Sequence, residues 1–228
     1  MATIASKLQL VQSRIKQACS KVDRSPAEVT LLAVSKTFPA AAVREAHQAG
    51  QRRFGENYVQ EALDKMTELA DLRAELEWHL IGPLQSNKTR AVAEHFDWVH
   101  TVDRLKVAQR LSEQRPAALP PLQVCVQVNT SGEASKSGVA PDEALALARA
   151  VAQLPRLNLR GVMALPAPSD DATIQAQSLK KVRELFDVLR AHGLTLDTLS
   201  MGMSADLEVA VEQGTTMVRI GAAIFGQR

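Results

Sequence analysis

Short apolar runs alternate with longer amphipathic stretches along almost the whole chain. The clearest run is Val29 to Lys36 (VTLLAVSK), which is rich in β-branched residues, flanked by Pro26 and Pro39, and ended by a lysine. Apolar residues on both faces are what a buried parallel strand requires. Ahead of it, Ile4, Leu8, Val11, Ile15 and Ala18 recur at helical spacing, which predicts an amphipathic N-terminal helix with Lys7, Arg14 and Lys16 toward water. After it the pattern predicts a helix over 39–49 stopped by Gly50, a short strand at Arg53-Phe54, and a long helix over 58–72. A third strand follows at 77–81 (EWHLI), then a Gly82-Pro83 break and a helix starting near Ser86 or Asn87. The run 97–102 (DWVHTV) predicts a fourth strand, with Asp103 as cap of a helix to Gln114.

The same rhythm continues in the second half. LQVCVQVNT predicts a fifth strand, 141–154 a helix, 157–164 a strand, 174–191 a helix, 198–201 a strand and 205–212 a helix. MVRIGAAIFG supplies a last strand and a terminal turn. About eight strand-then-helix units without a hairpin between neighbouring strands imply an all-parallel sheet, and this number suits a closed (β/α)8 TIM barrel with an additional N-terminal helix. An open doubly wound sheet is the alternative, disfavoured because neither a GxGxxG turn nor a Walker loop is present. No low-complexity linker divides the chain, so residues 1–228 are expected to form a single domain.

In such a barrel the site lies at the carboxyl ends of the strands. The residues expected there are Lys36, Asn57, His79, Thr101, Asn129, Met163, Ser200, Ser204 and Arg219. They include a lysine and an arginine but no evident carboxylate pair, which argues against glycosidase chemistry. His79, His95 and His100 lack the ligand spacing or partner carboxylate of a catalytic metal site. A lysine at a strand end, partly desolvated, suits Schiff-base chemistry, since burial disfavours an ammonium and frees the amine. SMGMSADLE and VRIGAAIFG place Ser200, Gly202 and Ser204, then Arg219 and Gly221, in the two loops where barrels of this type bind phosphate. An aldehyde-capturing lysine facing a phosphate cradle is the arrangement that pyridoxal 5′-phosphate needs. The loop SGEASKSG lacks P-loop spacing and is expected to be solvated, with Lys136 able to visit the mouth.

Composition narrows this further. Hydrophobic residues make up 46% and charged residues 23%, as in ordinary globular proteins, and a net charge of +2 leaves no footprint for nucleic acid or an anionic membrane. Cys19 and Cys125 are far apart and outside any CxxC pattern, which fits a reducing compartment. Without a signal peptide or an apolar membrane span, the expected location is cytoplasmic.

Seven ordered motifs carry a resemblance: AVSKTFP, FGENYVQEA, WHLIGPLQSNK, VNTSGEASKSG, LRGVMALP, SMGMSADLE and MVRIGAAIFG. Over nearly its whole length the chain resembles the pyridoxal phosphate homeostasis (YggS/PROSC) family. The resemblance implies a barrel like the alanine racemase N-terminal domain, with pyridoxal 5′-phosphate held as a Schiff base on Lys36. It further implies that Ser204, Arg219 and Gly221 anchor the cofactor while Asn57, His79 and Met201 line its pocket. The implied role is a monomeric, non-catalytic carrier or regulator in intracellular cofactor homeostasis, with apo-enzymes that use the cofactor as partners. Phe38 departs from the pattern, because many relatives carry a second lysine there. The competing reading is an amino-acid racemase. It is disfavoured because Ala40 stands four residues after the lysine, where racemases of this fold carry a tyrosine, and because the chain holds only Tyr58. A Schiff-base aldolase acting on a sugar phosphate is a third reading, separable by its lack of colour.

Overall fold

The structure is a computed structural model that describes residues 2–131, 137–167, 169 and 171–227. Eight strands, β1 (Thr30–Val34), β2 (Arg53–Glu56), β3 (Glu77–Leu80), β4 (Trp98–Val102), β5 (Leu122–Val128), β6 (Leu157–Ala164), β7 (Thr198–Ser200) and β8 (Met217–Ile220), pair in chain order. Every pairing is parallel, and β8 returns to β1 through Thr30 opposite Met217 and Ala33 opposite Ile220. The sheet is therefore a closed barrel and not an open one. Around it run α2 (Ala40–Gln48), α3 (Val59–Glu68), α4 (Thr89–His95), α5 (Leu105–Gln114), α6 (Ala144–Ala152), α7 (Ala172–Ala191), α8 (Leu207–Glu212) and the short α9 (Ala222–Phe225). The additional helix α1 (Ile4–Ser20) turns Leu8, Val11, Ile15 and Ala18 inward, capped at its start by the Thr3 side chain. Among the described residues no helix is long and apolar enough to cross a membrane.

Alternate residues along each strand serve two different cores, because strand side chains point to opposite faces. Ala33, Phe54, Trp78, Leu80, Val99, Val124, Val126, Val162, Leu199, Val218 and Ile220 pack outward against the helices in one large cluster. Trp98, Cys125 and Met163 belong to the other face and form a separate small cluster in the lumen. Cys125 is fully buried there, and burial pushes its thiol up to about 12. Where β6 meets β7, a Cβ on Gly161 would stand 1.6 Å from the Thr198 carbonyl oxygen. Only glycine permits that approach.

Three local expectations need correction. Lys36 lies two residues beyond β1, in a turn. Asp103 does not cap α5: the N-cap is Arg104, and the Asp103 carboxylate instead accepts from the Arg104 guanidinium at 2.8 Å. Arg14 does not face open water. Its guanidinium grips Glu208 through two 2.8 Å bonds and donates to the Ser204 carbonyl at 3.0 Å, so α1 braces the loop after β7.

Candidate functional site

Lys36 is half-buried and its turn is pinned on both sides. The buried Lys65 ammonium, projecting from α3, donates to the Ser35 carbonyl at 2.8 Å, to Glu56 Oε1 at 2.8 Å and to Glu61 Oε1 at 2.7 Å. Ser35 Oγ donates to the same Glu56 oxygen at 2.6 Å, and the Thr37 N–H donates to Glu61. Thr37 has φ of 64°, in the left-handed region that a β-branched residue rarely occupies. The Glu61 bond holds this strained conformation immediately after the lysine. Glu56 is fully buried at the end of β2, where burial pushes its carboxyl up and Lys65 opposes the shift. Its other oxygen, Oε2, has no hydrogen-bond partner among the described residues. Glu56 thus adds one buried acid to the strand ends, paired with Lys65 and not with a second carboxylate of the mouth. FGENYVQEALDK shows Glu56 and Lys65 as ordinary charged residues, and only the fold brings them under the lysine turn.

Beside Lys36, across the β1–β8 seam, lie the two loops expected to take phosphate. The backbone N–H groups of Ser204, Ala205, Ala222 and Ala223 have no partner among the described residues. They come from the ends of β7 and β8, which are neighbours in the barrel. Gly202 has φ of 94°, and a Cβ there would lie 2.5 Å from the Ala210 methyl. Its carbonyl accepts from the Arg219 N–H at 3.0 Å, linking the two loops. A Cβ on Gly221 would lie 3.3 Å from the Val34 carbonyl oxygen, close beside the lysine turn.

Arg219 is buried in the lumen below this rim. It donates to Ser200 Oγ at 2.7 Å and to the Ala164 carbonyl at 3.0 Å. Its other N–H groups have no partner among the described residues, and burial lowers its pKa to about 10. Asn57 lies across the mouth. Together with Thr101, Asn129, Leu165 and Met203 it lines a cavity of about 340 Å3 that spans the ends of β2 to β7. The Asn57 turn lies tight on Gly82, where a Cβ would stand 2.2 Å from the Asn57 carbonyl oxygen.

The remaining two expected site residues are placed differently. His79 lies fully buried in the lumen, with both ring nitrogens bonded, to His100 at 2.9 Å and to Glu77 at 2.8 Å. It therefore does have a partner carboxylate, although among the described residues no group of three or more His, Cys, Asp or Glu could hold a metal. Met201 points the other way, into the core between barrel and helices. Lys136 lies outside the described residues. Phe38, at the departing position, packs its ring 5.2 Å from that of Phe225. Tyr58 is largely exposed.

The family model for the alanine racemase N-terminal domain matches residues 7–228. Pyridoxal phosphate homeostasis proteins from Pseudomonas aeruginosa and Escherichia coli K12 are 63% and 56% identical to this chain, over all of it and over 97% and 98% of their own lengths. The chain belongs to the pyridoxal phosphate homeostasis protein family. Among solved structures, PipY of Synechococcus elongatus with pyridoxal phosphate bound superposes with a TM-score of 0.82 at 40% identity, covering 93% of this chain and 100% of PipY. An alanine racemase from Clostridium difficile superposes with a TM-score of 0.75 at 16% identity, which establishes the shared barrel fold. That comparison covers 97% of this chain but 57% of the racemase, so the family member aligns with only part of the larger enzyme.

Proposed function

We propose that this chain binds pyridoxal 5′-phosphate on Lys36 and acts in its intracellular homeostasis as a non-catalytic carrier. The carrying observation is the grouping of a primary amine, four amide N–H groups without a partner among the described residues and a buried guanidinium on three adjacent strand ends, β1, β8 and β7. The donor set fits the cofactor. Amides at the ends of β7 and β8 suit a phosphate, Arg219 suits an acceptor on an aromatic ring, and the pinned turn presents the amine beside both. The relatives' names and the bound pyridoxal phosphate in PipY support the same reading. Bound there, the cofactor would supply an aldehyde able to react with a primary amine. Lys36 is that amine. Ser204 and Gly221 belong to the cradle, Asn57 forms the opposite wall, and His79 supports the site from within the lumen.

The racemase reading is weaker on this geometry. Proton transfer at a substrate carbon needs a positioned acid–base on each face. Thr37, Phe38, Pro39 and Ala40 after the lysine offer no such group, and Tyr58 is exposed. Free apo-enzymes that use the cofactor are the partners this reading implies, with the carrier a cytoplasmic monomer. Lys36→Ala is expected to lose the visible absorption band and the borohydride-trapped adduct while keeping the far-UV circular dichroism. An adduct mapped by mass spectrometry to another lysine of the native protein, with Lys36 unmodified, would overturn the assignment.

A further inference from the structure

A line of hydrogen bonds runs through the barrel lumen from one end to the other. Arg219 NH1 to Ser200 Oγ measures 2.7 Å, Ser200 Oγ to His100 Nδ1 2.9 Å, His100 Nε2 to His79 Nδ1 2.9 Å, and His79 Nε2 to Glu77 Oε1 2.8 Å. The His100–Ser200 step joins β4 to β7 and so crosses the interior. Glu77, at the amino end of β3, opens onto a cavity of about 490 Å3 at the opposite mouth and pairs there with Arg53 at 3.1 Å.

The two ends determine every proton between them. Arginine only donates, so Ser200 accepts from Arg219. Glu77 is held below the usual carboxylate range by His79 and Arg53 against its desolvation; it is ionised and only accepts. His79 therefore donates from Nε2. Burial lowers the pKa of both histidines, keeping the rings neutral, so His79 Nδ1 must accept. His100 then donates from Nε2 and accepts at Nδ1, which leaves the Ser200 hydroxyl proton to fill that last bond. All four bonds run head to tail in one direction, and each polarises the next. Trp98 stacks 5.1 Å from the His79 ring at 12°, fixing its plane.

We propose that Glu77, His79, His100 and Ser200 are positioning residues: a one-directional relay that holds Arg219 as a fixed, charged donor for the ring acceptor of the ligand. The relay rests on the proposed cofactor reading for its ligand but not for its existence. Arg219 anchors one end with a positive charge, and Glu77 balances it from the opposite mouth. Running the relay backwards would require a neutral arginine, so it acts as a brace and not as a proton conductor.

Two measurements test this. In the cofactor-free protein labelled with 15N, the imidazole signals of His79 and His100 at pH 7.5 are expected to show neutral rings protonated at Nε2. A ring protonated at Nδ1, or at both nitrogens, overturns the relay whether or not any cofactor binds. With pyridoxal 5′-phosphate as the probe, Ser200→Ala is expected to release it about 10-fold faster and to shift its visible absorption maximum, since a bond to a charged group is lost. A folded Ser200→Ala protein with wild-type release and an unmoved maximum overturns the positioning role. Should Ser200→Ala not fold, His100→Gln carries the same comparison. Failure of the wild-type chain to bind the probe would instead count against the proposed function, and the nitrogen signals would still decide the relay.

Discussion

Lys65 is nearly as buried as the aliphatic core; it holds the backbone before Lys36 directly, through the Ser35 carbonyl, and the backbone after it through Glu61, which accepts from the Thr37 N–H. Its removal would leave the Glu56 carboxylate buried and uncompensated. Lys65→Met is therefore expected to cost about 3–5 kcal/mol in urea unfolding, and the double variant with Glu56→Gln to recover part of it. A double variant as unstable as the sum of both single changes would argue that the two groups act separately. The lumen histidines give a second residue-level expectation. Their folded pKa values lie below the unfolded value of about 6.5, so the unfolded state binds more protons as the solution becomes acid. Their contribution is complete above about pH 6.5 and is lost as pH falls below it, by up to about 1.4 kcal/mol per pH unit for each ring. Urea midpoints measured from pH 7.5 to 5 should fall, and His100→Gln should flatten the slope by about one proton. Little of this was legible in the sequence. Lys36 stands out because an apolar run ends at it, whereas Glu56, Lys65 and His100 acquire meaning only from partners 9 to 100 positions away.

At the scale of elements, the strands were legible because they are short apolar runs punctuated by Gly and Pro, and their order around the barrel followed from unbroken alternation. The ends of elements were less so. Asp103 was expected to cap α5, but it is followed by an arginine whose fork reaches the carboxylate. Arg14 was expected in water because helical spacing alone does not reveal that α8 packs beside α1, bringing Glu208 within reach. Met201 follows Ser200 directly, and strand parity sends the two side chains to opposite cores. The β6–β7 junction yields an expectation of its own. Gly161→Ala places a methyl on the Thr198 carbonyl, so β7 must move or the barrel must open. We expect a loss of several kcal/mol and early exchange of β7 amides with deuterium. A wild-type melting temperature would contradict the closeness of that contact.

At the scale of the whole molecule, the barrel stands without a second domain over its mouth among the described residues, and the cavity spanning β2 to β7 opens to solvent. A charged Arg219 facing a ring acceptor would keep that acceptor unprotonated, which makes the ring a poor electron sink for a carbanion. With L-alanine in deuterated water the loaded protein is expected to show negligible Cα exchange and no D-alanine. Fast exchange that disappears in Lys36→Ala would restore the racemase reading. The seam between β1 and β8 has a further consequence, in time. The amine follows the barrel's first strand and the guanidinium lies on its eighth, about 180 positions later, so most of the barrel must leave the ribosome before they can meet. On the proposed reading, loading with cofactor would be a post-translational event: a nascent chain would carry Lys36 long before it has the strand that completes the site.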